Sequence, residues 1–512
     1  MKIGRITRNH FDACKKAWAV FLFFVATAIA SSAQTLTILA SFDGTDGQRP
    51  STLIQGFDGN FYGTTQDGVA SGQCQGNYCG TVFKMTPAGA IVTLHSFCTQ
   101  TNCLDGELPS ALTQAIDGNL YGVTREGGAG CQTSIIPGCG TLFRVTLAGK
   151  FTTLYTFCLK TSCPDGAGPT GLMQAADGSL YGTTAGGGAN GFGTVFRVTA
   201  PGSLTTLHSF NDTDGAGPLS GVIQGIDGNF YGTAWEGGAL DCAYFNYFAG
   251  CGTLFKMTPE GSTMPGYTFC VVPSQCSDGS NPVGGLVQAV DGSFYGTTQY
   301  GGTDGFSYCD YIACGTLFSI TSSGKLSTLY AFCSDPFDCS DGFYPSTALV
   351  QGTDGNIYGT TGYGGSSSDL CACGTIFSIT PAGKLKTLYS FSGTNDGSTP
   401  GPLLLSTNGT FYGTTTAGGS GGYGTIYSLS TGLPAFVTAS PAIGRMGEKV
   451  LITGTNLKGT TTVTFNRTTA QFTVASKTLI IATVPVGATS GFILVTTPGG
   501  KLSSNAAFRV IP

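Results

Sequence analysis

One eight-residue phrase constrains this chain more than any other feature. It reads DGNFYGTT (58–65), DGNLYGVT (117–124), DGSLYGTT (177–184), DGNFYGTA (227–234), DGSFYGTT (291–298), DGNIYGTT (354–361) and NGTFYGTT (408–415). The seven tyrosines, Tyr62, Tyr121, Tyr181, Tyr231, Tyr295, Tyr358 and Tyr412, lie 50–64 residues apart. A period of that length marks a stacked array, in which each unit buries its apolar faces only against its neighbours.

Every copy offers four β-type segments, here a to d. In the second they are ALTQAI, NLYGVT, GTLFRVT and KFTTLYTF. Asp-Gly between a and b predicts a two-residue hairpin with both central residues at positive φ, and the c–d link predicts a three-residue hairpin with Gly in the left-handed position. Segments a, b and c occur seven times, yet no d segment follows the last c segment, GTIYSLS (424–430). A d-like segment without a unit of its own, TLTILASF (35–42), stands at the front and matches TLYTF (153–157) and TLYSF (387–391). The count predicts an all-β, seven-bladed β-propeller closed by an N-terminal outer strand, a closure that removes free sheet edges.

The repeats, DGNFYGTT followed by a Gly-Gly loop and GTVFK-x-T-x-x-G, resemble the bacterial GloVer tandem-repeat family over roughly 35–430. The resemblance implies an exported protein with a propeller-like fold and supplies no active-site residues. From about Leu433 the pattern changes. ASPAIGRMGEKVLITGTNL and the closing SNAAFRV resemble an IPT/TIG immunoglobulin-like module, a β-sandwich of a kind that serves as spacer or interaction domain. The expected organisation is a signal peptide (1–33), the propeller (34–432) and the immunoglobulin-like domain (433–512).

The first residues carry Lys2, Arg5, Arg8, Lys15 and Lys16, then an apolar run from Ala17 to Ala30 and small residues up to Ala33. That order is the pattern of a secretory signal peptide cleaved after Ala33, giving a secreted or periplasmic protein without a stable membrane anchor. The remaining chain has 18 basic against 27 acidic side chains and no basic cluster, which excludes nucleic acid as the expected partner. Its 18 cysteines fall into neighbouring pairs: Cys74/Cys79, Cys98/Cys103, Cys131/Cys139, Cys158/Cys163, Cys242/Cys251, Cys270/Cys276, Cys309/Cys314, Cys333/Cys339 and Cys371/Cys373. All lie in b–c or d–a loops, which a propeller presents on one face, and the loops are longest where the pairs occur. Disulfides stapling each loop locally are the favoured pairing; a bridge such as Cys79 to Cys98 across the c–d hairpin is the rival.

Little else in the chain suggests chemistry. His95 and His208 occupy a d-segment slot held elsewhere by Tyr155, Tyr330 and Tyr389, so they read as packing residues. The aspartates of the D-G-x-x-P and a–b turns read as turn formers, and the oxygen spacing of a strong calcium site is missing. No catalytic residue, metal or cofactor is assigned. The slot just after segment b, however, varies on a constant frame: Gln66-Asp67, Arg125-Glu126, Ala185-Gly186, Trp235-Glu236, Gln299-Tyr300, Gly362-Tyr363 and Thr416-Ala417. Blades 4 to 6 concentrate aromatics there and in the adjoining loops, namely Trp235, Tyr244, Phe245, Tyr247, Phe248, Tyr300, Tyr308, Tyr311, Phe343, Tyr344 and Tyr363, beside Glu236 and Gln299. Rings that stack on a sugar's apolar face, next to groups that bond its hydroxyls, suit a glycan. The expected function is a monomeric, non-catalytic binder of an extracellular glycan or cell-surface protein. A structural or adhesive module is the alternative, and a glycan-degrading enzyme using Glu126 and Glu236 is a second one.

Overall fold

The a–b turn is not the two-residue turn that Asp-Gly suggested. In the computed structural model, Gly56 N donates to Asn60 O and Gly59 N to Gly56 O, and within the turn only Gly59, at φ 80°, is left-handed. The loop therefore holds three residues. Asp58 stays right-handed because its carboxylate accepts the Asn60 N–H at 3.0 Å and the Tyr62 hydroxyl at 2.8 Å, which ties the turn to the strand it feeds. The same bonds recur at Asp117, Asp177, Asp227, Asp291 and Asp354. The c–d hairpin is the expected three-residue form, with Gly89 at φ 90°.

The structure describes residues 34–68, 79–129, 139–199, 202–238, 250–270, 276–302, 314–333, 339–365 and 373–511. The signal-peptide reading of 1–33 lies outside them. From Thr35 to Ser430 the described residues form seven antiparallel sheets of propeller-like type. The second is representative: a Glu107–Gln114, b Leu120–Glu126, c Thr141–Val145 and d Phe151–Thr156. In the seventh, strand c (Thr425–Ser430) pairs on its outer side with the N-terminal strand Thr35–Ser41.

Three repeated contacts lock each sheet to the next. The strand b Tyr of one sheet packs on the apolar residue that opens strand b of the next: a tilted ring as in Tyr231–Phe294 at 4.0 Å and, from the last sheet to the first, Tyr412–Phe61 at 4.2 Å, or Leu120, Leu180 and Ile357 in the second, third and sixth sheets. The Gly that opens strand c is held at positive φ against the next sheet's D-G-x-x-P proline. A Cβ on Gly252 would lie 2.5 Å from Pro282 Cδ, and one on Gly424 would lie 2.7 Å from Pro50 Cδ. Finally, six glutamines form a belt. Gln114 Nε2 donates to Gly118 O of its own a–b turn, while its Oε1 accepts Phe57 N–H from the preceding turn at 2.7 Å. Gln174, Gln224, Gln288, Gln351 and Gln55 accept likewise from the sheets before them. The seventh position is Leu405, so the belt breaks between the sixth and seventh sheets.

Residues 438–511 form two further four-stranded sheets and a short parallel pair around one core that includes Val450, Ile480, Val495 and Phe508. They rest on the a–b turns: Phe436 N donates to Thr407 O, Thr478 Oγ1 donates to Phe57 O at 2.8 Å, and Arg509 lies beside Gly228. That end of the array is therefore occupied, and the loop end carries the variable slots.

Candidate functional site

Strand b ends, and strand a begins, at the loop face, so the variable slot pairs across the sheet with the third residue of D-G-x-x-P. Asp67 lies opposite Gln48, Glu126 opposite Glu107, Glu236 opposite Ala216, Tyr300 opposite Ser280 and Tyr363 opposite Phe343. The fourth residue of the motif forms a second variable ring that sequence reading missed. Arg49, Leu108, Gly168, Gly217, Asn281, Tyr344 and Thr399 all have φ between 53° and 62°. The scaffold imposes this conformation, because the residue's N–H reaches back to the preceding sheet, as Asn281 N does to Cys251 O at 2.7 Å and Tyr344 N to Cys314 O at 2.9 Å. A non-glycine residue there costs about 1 kcal/mol. Glycine would be easier at every copy, yet only two copies use it.

The two rings meet across sheet boundaries. Asn281 Nδ2 donates to the Trp235 carbonyl at 3.0 Å, which fixes the backbone beneath the indole. Tyr300 meets Tyr344 edge-on at 5.3 Å, Tyr344 contacts Phe343 at 5.1 Å and Tyr363 at 5.7 Å, and Phe343 and Tyr363 stack at 5.6 Å. These four rings form one cluster from two sheets, and Tyr363 is 37% exposed. Burial, and then the neighbouring Tyr363, push the Tyr300 hydroxyl above its usual range, so it stays a hydrogen-bond donor at neutral pH. Gln299 N donates to Asn281 O at 3.0 Å within the fifth sheet, which fixes the Gln299 backbone beside that left-handed residue. Tyr244, Phe245, Tyr247, Phe248, Tyr308 and Tyr311 lie outside the described residues, as do Cys74, Cys131, Cys242, Cys309 and Cys371.

The d–a loops are stapled locally: Cys98–Cys103, Cys158–Cys163, Cys270–Cys276 and Cys333–Cys339 are bridged, which removes the rival cross-hairpin pairing for these four pairs. Cys79, Cys139, Cys251, Cys314 and Cys373 are also disulfide-bonded. His95 and His208 act as packing residues. Each bonds the D-G-x-x-P aspartate of its own d–a turn, His95 Nε2 to Asp105 at 3.1 Å and His208 Nε2 to Asp214 at 2.9 Å, where Tyr155 and Tyr330 use their hydroxyls.

The charged side of the face lies on the first two sheets. Arg49 reaches Asp67 at 3.6 Å. Glu107, which sequence reading passed over, sits directly opposite Glu126. Burial, and then the Glu126 and Asp105 charges, push its carboxyl up; burial also raises Glu126 and, with Asp212, Glu236. A folded-state pKa above the unfolded value means that ionised Glu107 opposes folding, an effect absent below the unfolded pKa and complete once pH has risen through the folded one. Glu107→Gln is therefore expected to raise the melting temperature at pH 7 by a degree or more, with the gain vanishing near pH 4, as read by calorimetry at both values.

The model of a family described as the Gloeobacter/Verrucomicrobia repeat matches residues 25–245, 132–368 and 243–474. No curated protein matches the sequence. Among solved structures, the chain is similar to a fungal alcohol oxidase of the AA5 family in complex with copper, at 13% identity and a TM-score of 0.51, over 93% of this chain and 99% of that one. It is also similar, at 15% identity and a TM-score of 0.38, to the PQQ-bound aldose sugar dehydrogenase of Streptomyces coelicolor, over 63% of this chain and 93% of that one. At 13% identity the likeness to the oxidase concerns the fold alone. Among the described residues, no helix is long and apolar enough to cross a membrane.

Proposed function

We propose, for a chain that belongs to the Gloeobacter/Verrucomicrobia repeat family, an exported, monomeric binding protein that takes an extracellular glycan or cell-surface partner on its loop face. In this reading the seven sheets are the blades of a propeller closed by the N-terminal strand, residues 1–33 are a signal peptide, and residues 433–512 are an immunoglobulin-like module seated on the opposite end. The observation that carries it is the ring cluster of Tyr300, Phe343, Tyr344 and Tyr363. Tyr344 keeps a large aromatic side chain at φ 55°, where Gly168 and Gly217 show that the scaffold accepts glycine. A costly backbone position filled by a ring at the rim points to use of that ring. Disulfide-stapled loops beside it lower the ordering cost of binding.

A glycan array followed by titration calorimetry tests this. Tyr363→Ala and Tyr344→Gly are expected to weaken a glycan hit about tenfold or more, because a stacked ring contributes on the order of 1 kcal/mol beyond its buried area. Melting temperatures should stay near that of the parent, Tyr344→Gly regaining the backbone penalty. Unchanged affinity for a real hit would remove the rim from the site, and a large drop in stability would make the rings packing only.

The Glu107–Glu126 pair favours a second reading, glycan cleavage. Side chains directly opposite on antiparallel strands have Cβ atoms about 5 Å apart, within reach of the carboxylate spacing used by retaining glycosidases. Reducing-sugar release that disappears in Glu126→Gln would establish it.

A further inference from the structure

The fourth sheet breaks the repeat on its outer strand, Thr263–Thr268. The residue paired to the end of strand c is apolar elsewhere: Ile91 opposite Met85, Phe151 opposite Val145, Leu204 opposite Val198, Leu326 opposite Ile320 and Leu385 opposite Ile379. Opposite Met257 it is Thr263. Three residues on, Leu94, Leu154, Leu207, Leu329 and Leu388 pack into the core of the other sheets. Here the residue is Gly266, and a Cβ on it would collide with the Leu254 carbonyl. The plug missing at Thr263 leaves a hollow of about 410 Å³ between the third and fourth sheets, with Gly266 also in its lining, walled by Phe210, Phe255 and Met264 and by His208, Asp214 and Tyr267.

The first sheet supplies an internal control. It carries the same His–Asp pair, but Phe151 of the next sheet stacks on His95 at 3.7 Å and the Asp105 side chain is fully buried. At His208 the stacking residue is replaced by Thr263, and the Asp214 side chain is 31% exposed. The fold thus tolerates a filled version of this position, and the fourth sheet leaves it open.

We propose that this hollow is a binding site for a small neutral polyhydroxylated ring of monosaccharide size, separate from the aromatic rim. Its volume falls in the range of small-molecule pockets, and its walls pair aromatic faces with a few converging polar groups. Asp214 accepts from His208 and from Asn211 N, and its carboxylate has acceptor capacity left for ligand hydroxyls. Thr213, Thr253 and Tyr267 add hydroxyl oxygens as further acceptors, their protons being given to Asn211 Oδ1, the Asp214 carbonyl and Asp278. Among the described lining residues none is Lys or Arg, which disfavours an anionic ligand.

The test is methyl NMR of the full mature chain, following the Met264 resonance while glucose, galactose or N-acetylglucosamine is added. A saturable shift is expected with at least one of them. Thr263→Phe, which rebuilds the second sheet's plug, should abolish the shift and raise the melting temperature. Asp214→Asn, which keeps the shape, should weaken binding about tenfold or more. Tyr363→Ala should leave the shift unchanged, so failure of the rim and failure of this site are distinguishable. No saturable shift with any probe, or a shift that persists in Thr263→Phe, would reduce the hollow to a wet packing defect.

Discussion

Replacing Phe42 by alanine is expected to cost the whole repeat region about 3–5 kcal/mol, the usual penalty for removing a buried phenylalanine. Phe42 is fully buried just past the N-terminal strand, and it joins the two ends of the array. Its N–H donates to Gly424 O of the seventh sheet at 3.0 Å, and its ring meets Phe83 of the first sheet edge-on at 5.6 Å. The strand before it serves two cores. Leu36 and Ile38 pack with Phe391, Tyr427 and Leu429, whereas Leu39 and Ala40 pack with Phe61, Phe83 and Tyr412. Losing residues 34–42 altogether would strip the outer edge of strand Thr425–Ser430 and open the apolar faces between the seventh and first sheets to water. Urea unfolding should show a lower midpoint with an unchanged slope for Phe42→Ala, and a collapse of the native baseline for the deletion. A deletion variant that melts like the parent would refute the idea that this strand closes the array.

The elements of this architecture were legible wherever a local rule repeats. Seven copies of the Tyr-Gly phrase, five of them YGTT, mark strand b. The surplus d segment at 35–42 foretold that the N-terminal strand would pair beside the last c strand, as it does. The insertion of a cysteine pair with each long d–a loop foretold the four local disulfides. What sequence reading missed was contact between copies. Gln55, Gln114, Gln174, Gln224, Gln288 and Gln351 recur three residues before the turn Asp or Asx position, yet their partners lie in another copy, 48 to 352 residues away. The left-handed ring was hidden for another reason. Arg49, Tyr344 and Thr399 carry no signal of positive φ, because the conformation is imposed by a bond to the preceding sheet and not by the residue. Glu107 was passed over because its significance comes from register: it is an ordinary strand residue until Glu126 is placed opposite. The a–b turn was misread because Asp-Gly permits two loop lengths, and the bonds from Asn60 and Tyr62 to Asp58 select the longer.

The contact between neighbouring sheets yields the second large effect. Gly315→Ala is expected to destabilise the chain by about 2–5 kcal/mol, whereas Gly292→Ala in the same sheet should cost only about 1 kcal/mol. Both glycines are left-handed, at φ 98° and 85°, so both pay the penalty of a Cβ in that region. They differ in what surrounds the new atom. At Gly292 no heavy atom lies within 4 Å. At Gly315 the Cβ would sit 2.5 Å from the Thr298 carbonyl oxygen and 2.8 Å from both the Gln299 carbonyl oxygen and Pro345 Cδ of the next sheet. None of these can swing aside: two belong to backbone in a paired strand, and the third is a ring closed onto its own main chain. Relief would have to come from displacing strand b of the fifth sheet and from separating the fifth and sixth sheets, where Tyr344 N–H also bonds Cys314 O and where the four-ring cluster spans the boundary. Gly315→Ala should therefore perturb the Tyr300 and Tyr344 resonances as well as lowering the urea midpoint, while Gly292→Ala leaves those resonances in place. Equal losses for the two variants would mean that the glycine is kept for its backbone conformation alone and that the proline-on-glycine contact does not hold the sheets together.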